Sequence, residues 1–385
     1  MTQAMILGGV YVLLGAICGG SFGLPSKYAK EDTPWEVLWG PFFLFVTILI
    51  PCTVAPLVVN DLVGIYAAVD LRAVIIPTLI FGFLWGLGSM TLGMSFAFIG
   101  LSLAYALNYG AQIMFGSLIP MAIFDYKEFF TPHGGVILAG IGVCLIGVIV
   151  SGRAGILKDR SLAKDDPPGE TGASDSAIKK PKMLIGLLIA VVSGILCACY
   201  AVASGYAGPI DEVAREGDLN SKWRAAWAIT ALILWGGAVS ACGYCVIQLT
   251  RNKTWGHLAK PGIGFIILLA VAMAVLHDAA IFFFGLGWIN LGDLGVSVGY
   301  PAFMSFAIIV GNFHGFRTGE WKGASRQSVG WLVAGIVLLI VGVCILAAGK
   351  SMKPTKEELP EEPVAVRGSL QEIQHDIPIC SRFAV

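Results

Sequence analysis

Charge is scarce in this sequence, and the charge that is present cancels. Only 13% of the 385 residues are Asp, Glu, Lys or Arg, against 56% that are hydrophobic, and the formal net charge is zero. A soluble domain of this size cannot bury so much apolar surface, so the composition excludes one and indicates a helical protein with several membrane spans. A balanced charge provides no basic surface for a nucleic acid, and we expect no nucleic-acid partner.

Metal-ligating residues are also sparse. The chain has five histidines and nine cysteines, and every cysteine except Cys380 falls in an apolar stretch. The pairs Cys197/Cys199 and Cys242/Cys245 have no His or acidic residue beside them within those stretches. Buried cysteine usually behaves as a small hydrophobic residue. We therefore predict packing roles for these cysteines, no metal site and no cofactor.

Long apolar runs, by contrast, are abundant. Ten windows of about 20 residues, the length of a membrane-spanning helix, follow one another along the chain. They lie at 4–24, 36–59, 73–96, 100–124, 134–152, 183–204, 223–248, 262–288, 294–313 and 327–349. The pattern predicts an all-α membrane protein with ten transmembrane helices surrounded by lipid.

The two halves of the chain resemble each other in the order of their small residues. The matched positions are Gly8 and Gly186, Gly93 and Gly285, Gly100 and Gly292, Gly140 and Gly335, and Gly147 and Gly342. Each half holds five predicted spans, and an odd number inverts the second copy, as in transporters built from inverted repeats. Chance matching of small residues is the alternative, but the shared order along the chain favours a repeat.

This organisation predicts four segments. Residues 1–153 form the first five-helix repeat, 154–182 a charged central linker and 183–349 the second five-helix repeat. Residues 350–385 form a tail rich in acidic residues and proline, which we expect to be disordered.

A polar stripe runs along the predicted fourth span. Tyr105, Asn108, Tyr109 and Gln112 fall at helical spacing on one face. Hydrogen-bonding groups facing lipid would be costly, so these side chains should face a neighbouring helix or a wet cavity. Hydrogen bonds that hold helices together are the alternative to a ligand-lining face.

The repeat alignment favours the cavity. It places Tyr105, Asn108 and Gln112 opposite Ser297, Tyr300 and Met304 of the ninth span, and Trp85 opposite His277. Two repeat-related helices thus direct polar or aromatic faces at one place. The predicted substrate-binding residues are Trp85, Tyr105, Asn108, Tyr109, Gln112, Ser297 and Tyr300.

Three residues are candidates for proton coupling. Asp278 is the only acidic residue deep in a predicted span, where a carboxylate costs about 2.5–3.5 kcal/mol and usually marks a pathway or a proton relay. Its neighbour His277 carries an imidazole, a side chain that often serves in proton exchange. Glu36 lies near a span end between Trp35 and Trp39. The alternatives are a structural hydrogen bond for Asp278 and an interfacial aromatic belt around Glu36.

Several stretches resemble the L-rhamnose–proton symporter family of the drug/metabolite transporter superfamily, in order over residues 4–349. They are Pro34-Trp-Glu-Val-Leu-Trp39, Phe81-Gly-Phe-Leu-Trp-Gly-Leu-Gly88, Gly147 to Arg160, Phe282-Phe-Phe284, and Glu320-Trp321 followed by Arg326. The resemblance implies ten helices in two inverted five-helix repeats and proton-driven uptake of a 6-deoxyhexose. The His277-Asp278 pair and the acidic tail after Lys350 depart from the family pattern.

These observations together predict an alternating-access symporter in the inner (cytoplasmic) membrane. Its partners would be protons and a neutral monosaccharide, with L-rhamnose favoured. An exporter or exchanger of another small metabolite on the same scaffold is the alternative. A membrane-embedded enzyme would need a nucleophile and base, or a metal cluster, near an interface, and the sequence offers only the His277-Asp278 pair at mid-depth.

Overall fold

The computed structural model describes residues 3–30, 32–165, 174–291 and 299–352. Within these ranges the chain forms helices and no strands. The helices are α1 (Gln3–Ser21), α2 (Trp35–Leu44), α3 (Ile50–Val58), α4 (Leu62–Ala68), α5 (Ile76–Phe124), α6 (Pro132–Asp165), α7 (Ser174–Cys197), α8 (Cys199–Tyr206), α9 (Gly208–Arg215), α10 (Lys222–Arg251), α11 (Ile263–Leu291), α12 (Tyr300–Arg317) and α13 (Arg326–Ser351).

Eight helical stretches of the described chain are long and apolar enough to cross a membrane. They are Gln3–Tyr28, Trp35–Val58, Leu71–Phe124, Pro132–Leu162, Met183–Tyr206, Lys222–Arg251, Ile263–Leu291 and Arg326–Ser351. A π-helical turn, Phe45–Leu49, joins α2 and α3 into one such stretch. The prediction of a helical protein with several membrane spans is confirmed.

Helix α5 is interrupted at Gly100, where the backbone has φ 80° and ψ 174°. Its 49 residues would extend about 74 Å as one straight helix, more than twice the thickness of a bilayer core. A side chain at this position would be strained by the positive φ and would also meet Glu320, whose Cδ lies 2.6 Å from an added Cβ. Glycine therefore allows α5 to divide into residues 76–99 and 101–124.

The helices flanking the predicted central linker are longer than expected. Helix α6 continues to Asp165 and α7 begins at Ser174, so both enter the segment 154–182. Ser151, Ala154 and Lys158 are all buried on one face of α6. Because this face still packs against protein after the apolar run ends, the helix continues beyond the membrane-spanning part. The tail beyond residue 352 lies outside the described residues.

The longer helices pack side by side around the centre of the molecule. Helix α1 packs against α11 and α12, and α7 packs against both halves of α5. Helix α2 packs against α10, and α6 runs along α13. Gly140 and Gly147 of α6 face Gly342 and Gly335 of α13, where the absence of side chains lets the two backbones approach closely.

Candidate functional site

A cavity of about 530 Å³ lies between α1, both halves of α5, α7, α8, α11 and α12. Its volume falls in the range of small-molecule sites. Five of the residues singled out from the sequence line it: Trp85, Asn108, Tyr109, Gln112 and His277. They come from α5 on one side and α11 on the other.

The polar wall is formed by the second half of α5. Asn108 is fully buried, and its Nδ2 donates to Ser193 Oγ at 2.6 Å, while Oδ1 has no hydrogen-bonding partner among the described residues. Tyr109 donates its hydroxyl proton to the Gly19 carbonyl oxygen at 3.0 Å. The Gln112 side chain is only partly buried. This wall thus combines an amide acceptor, an amide and a phenol, groups that bind sugar hydroxyls.

The opposite part of the cavity is aromatic. The ring of Trp85 lies 6.1 Å from that of Tyr200 and 6.1 Å from that of His277, measured between centroids. Phe22, directly after α1, makes an edge contact with the His277 ring at 5.4 Å. Such a surface suits the apolar face and methyl group of a deoxysugar.

His277 and Asp278 lie in sequence on α11 but only His277 lines the cavity. Nδ1 of His277 is 2.9 Å from Oδ1 of Asp278. Asp278 is 7% exposed, and its Oδ2 has no hydrogen-bonding partner among the residues the structure describes. The carboxylate therefore orients the imidazole through this contact, and of the two side chains the imidazole is the one that lines the cavity.

Two other predicted residues lie away from the cavity wall. The Tyr105 hydroxyl accepts a hydrogen bond from the Gly23 backbone N–H at 2.9 Å, and its side chain is fully buried. Glu36 Oε1 accepts from Asn252 Nδ2 at 3.0 Å and from Thr254 Oγ1 at 2.7 Å. These contacts connect Tyr105 to the turn after α1 and Glu36 to the end of α10, which favours structural roles for both.

The structure describes only part of the predicted ninth span. Ser297 lies outside the described residues, and Tyr300 begins α12 without a described side chain. From the same helix, Phe303 and Met304 do line the cavity.

Phe22 and Tyr200, which were not predicted from the sequence, also line the cavity, Phe22 from the turn after α1 and Tyr200 from α8. The signal was present in the repeat. Gly8 and Gly186 are matched, and Phe22 and Tyr200 stand at the same separation in the chain, as do Gly19 and Cys197. All four of these further residues line the cavity. Carrying the first match along the helix would have found them.

A family model described as L-rhamnose-proton symport protein (RhaT) matches residues 1–352 of this chain. The chain belongs to this symport protein family. Among its curated relatives, the L-rhamnose-proton symporter of Yersinia pestis (strain Pestoides F) is 28% identical over 356 residues, covering 91% of this chain and 99% of the relative. That of Pectobacterium atrosepticum is 28% identical over 359 residues, covering 91% of this chain and all of the relative.

Membership of the symport protein family confirms the prediction of a transporter and not an enzyme, because these relatives are named as symporters. Within the described residues, no group of three or more His, Cys, Asp or Glu side chains is arranged to hold a metal ion. A cavity enclosed by spanning helices is the expected place for a carried solute in such a family.

Proposed function

We propose that this protein carries L-rhamnose together with protons into the cell across the inner membrane by alternating access. The observation that carries the proposal is the family match over residues 1–352, combined with a central cavity whose walls suit a deoxysugar. The cavity supplies the polar and apolar surfaces at which a monosaccharide is recognised.

The sugar would lie between the two walls of the cavity. Asn108, Tyr109 and Gln112 would bind its hydroxyls, and the Trp85 ring would stack on its apolar face. Ser297 and Tyr300 are proposed as further contacts by the repeat alignment. Tyr105 was predicted to join them, but its bond to Gly23 supports a place behind the binding surface.

The proton would be exchanged through His277 and Asp278. His277 lines the cavity, and its Nδ1 lies 2.9 Å from Oδ1 of Asp278. A proton taken up from cavity water by the imidazole can therefore be shared with the carboxylate without moving far. Because a buried charged carboxylate is costly, its protonation state would depend on which side of the membrane the cavity faces. Glu36, held by Asn252 and Thr254, is the less favoured coupling residue.

We further propose ten transmembrane helices in two inverted repeats on a drug/metabolite transporter scaffold. The contacts between α6 and α13 support the repeat. A Cβ added to Gly140 would lie 2.9 Å from Gly342 O, and a Cβ added to Gly342 would lie 2.9 Å from Gly140 O. The two reciprocal distances between Gly147 and Gly335 are both 3.1 Å. The repeat alignment matches Gly140 with Gly335 and Gly147 with Gly342. Replacing each residue of the Gly140–Gly342 contact by its match therefore gives the Gly147–Gly335 contact. A two-fold axis between the repeats requires this exchange.

The helix count is supported by the break in α5 and by α12. Dividing α5 at Gly100 makes two spans of the single long stretch, and α12 adds an 18-residue helix between α11 and α13. With these, each half of the chain holds five spans.

The proposal is tested by uptake of labelled L-rhamnose into proteoliposomes with an imposed pH gradient. We expect accumulation when the outside is acidic, and loss of accumulation when a protonophore collapses the gradient. A competition series of other monosaccharides at equal concentration defines selectivity. Transport of a different metabolite, or exchange that ignores the pH gradient, would favour the alternative of an exporter or exchanger.

A further inference from the structure

One carboxylate joins several elements at the end of the cavity where α5 is interrupted. Glu320, in the connection between α12 and α13, accepts hydrogen bonds from the backbone N–H of Leu101 at 2.6 Å and of Ser102 at 3.1 Å. Lys27 Nζ, just after α1, lies 2.9 Å from Glu320 Oε1. We call these four residues the latch.

The latch is closely packed and mostly hidden from solvent. The Glu320 side chain is 8% exposed. A Cβ added to Gly315 of α12 would lie 2.7 Å from Glu320 Oε2, so the carboxylate fills the space between α12 and the break in α5. Hydrogen bonds from two backbone N–H groups at a helix start are a favoured arrangement for an anion.

A second basic residue reinforces this site from α6. Lys158 is buried, with its Nζ 4.8 Å from the centre of the Trp321 ring, directly after Glu320. Its charge also interacts with those of Glu320 and Lys27. The latch and Lys158 therefore bring together the segment after α1, the later part of α6, the middle of α5 and the connection after α12.

Between the latch and the cavity lies a group of aromatic side chains, Phe22, Phe96 and Tyr105, which we call the plug. Its ring centroids are 5.1 to 6.0 Å apart. Phe22 also lines the cavity, so the plug forms the floor of the cavity at this end. All three side chains are at most 5% exposed.

The other end of the cavity reaches Lys350 in the last turn of α13. Helix α13 has 26 residues and is therefore about 39 Å long, and Glu320 lies in the connection that leads into its first residue, Arg326. The latch and Lys350 thus mark opposite ends of the transport path. At the latch end the path is closed by two layers, the plug and the ion-paired carboxylate.

We propose that Glu320 is a positioning residue for transport, which holds this end of the cavity closed until its bonds to Leu101, Ser102 and Lys27 break. This inference rests on the proposed transport function. For sugar to pass the plug, the second half of α5 must move away from α1 and α12. The latch is a charged contact that joins α5 to the segments following α1 and α12. Its charged hydrogen bonds stabilise the state closed at this end over the state open there.

Hydrogen–deuterium exchange of the purified full-length protein, followed by mass spectrometry, tests the latch. Glu320→Gln removes the charge while keeping the size of the side chain. Without sugar, we expect the amides of residues 101 and 102 to exchange about tenfold faster than in the wild type, because hydrogen bonds to a charged group are lost. Exchange across the contact of α6 with α13 should stay unchanged.

Glu128→Gln is the matched control. Glu128 precedes Glu320 by the same separation that relates Trp85 to His277, and its oxygen lies 3.6 Å from His133 Nε2. The control removes a carboxylate at the equivalent position of the other repeat and should leave exchange at residues 101 and 102 at the wild-type rate. If Glu320→Gln fails to fold, Lys27→Met, which keeps both backbone hydrogen bonds, should give a smaller increase at the same amides.

Addition of L-rhamnose separates a gating role from a purely structural one. In the wild type the sugar should speed exchange at residues 101 and 102, since binding promotes opening, and should protect the stretch around Asn108 and Gln112. In Glu320→Gln the protection should remain, while the latch amides show no further increase.

Unchanged exchange at residues 101 and 102 in Glu320→Gln would overturn the proposal, as would an equal increase along α6 and α13. If L-rhamnose protects no segment of the wild type from exchange, the proposed transport function fails. Exchange of the two Gln variants without sugar still shows whether Glu320 stabilises the contact at residues 101 and 102.

Discussion

The aromatic rings of Trp85 and His277 lie 6.1 Å apart at the wall of the cavity. The repeat alignment places these residues at equivalent positions of the two halves, yet one is an indole and the other an imidazole. In the proposed mechanism the first half thus contributes a surface for stacking on the sugar, and the second contributes a group that exchanges protons. Sugar and proton would then bind side by side.

The first prediction concerns the carboxylate behind His277. Asp278→Asn keeps the size of the side chain and a hydrogen bond to His277, but it removes a proton-binding group. We expect accumulation of L-rhamnose driven by a pH gradient to be abolished, while counterflow exchange of labelled for unlabelled sugar continues. Both are measured in the same proteoliposomes. Gradient-driven uptake at the wild-type rate, with equal protein in the membrane, would remove Asp278 from the coupling mechanism.

The second prediction compares two positions on the polar wall. Replacing Gln112 by Leu should weaken sugar binding by about 0.5–1.5 kcal/mol, the contribution of one hydrogen bond. Asn108→Leu also leaves Ser193 Oγ without the donor that lies 2.6 Å away, which should lower the melting temperature with or without sugar. Its loss of sugar affinity should be similar to that of the Gln112 variant. Isothermal titration of purified protein with L-rhamnose measures both. Wild-type affinity in both variants would mean that the stripe only holds helices together.

A third prediction tests Tyr105, which the sequence placed among the sugar contacts and the structure places in the plug. Tyr105→Phe deletes the acceptor for the Gly23 N–H and leaves a buried donor unpaired, at a cost of about 1–3 kcal/mol. We therefore expect a lower melting temperature with unchanged sugar affinity. A loss of affinity with unchanged melting would instead support direct contact with the sugar.

The fourth prediction tests the crossing of α6 and α13. A Cβ added to Gly147 would lie 2.9 Å from Leu339 N, so Gly147→Ala must push the two backbones apart, at about 1–3 kcal/mol. Gly142, on the same helix, has no atom within 4 Å of an added Cβ and serves as the matched control. Thermal unfolding in detergent should show a lower melting temperature for Gly147→Ala only. Equal melting of the two variants would contradict close packing at this crossing.

Much of the fold could be predicted from the sequence because a membrane leaves few choices. Backbone N–H and C=O groups in lipid must form hydrogen bonds within the protein, because lipid offers none. Long apolar runs with almost no charge therefore become helices. The cavity-lining positions of Asn108, Tyr109 and Gln112 followed from the same reasoning, since polar groups at helical spacing avoid lipid. The end of α6 could not be predicted, because residues past the apolar run are held by contacts with distant segments, such as that of Gly155 with Leu103 and Leu187.

The roles of the remaining candidates depended on partners far away in the chain. Periodicity places Tyr105 on the same face of α5 as Asn108. The turn after α1 approaches this part of the face closely, and its Gly23 N–H donates to the Tyr105 hydroxyl, so Tyr105 is buried between helices. Glu36 likewise accepts hydrogen bonds from Asn252 and Thr254, more than 200 positions away, which favours a structural role over proton coupling.

The amino-acid sequence by itself determined that this protein is a helical membrane transporter, because hydrophobicity and helical spacing are local properties that each segment carries alone. Only the tertiary structure decided which polar residues face the cavity and which bind other helices instead, because those partners lie far away in the chain. The carboxylates of Glu320 and Asp278 are chemically alike, and their surroundings separate them. Glu320 accepts hydrogen bonds from two backbone N–H groups and pairs with a lysine at the break in α5. Asp278 instead contacts a histidine that lines the cavity.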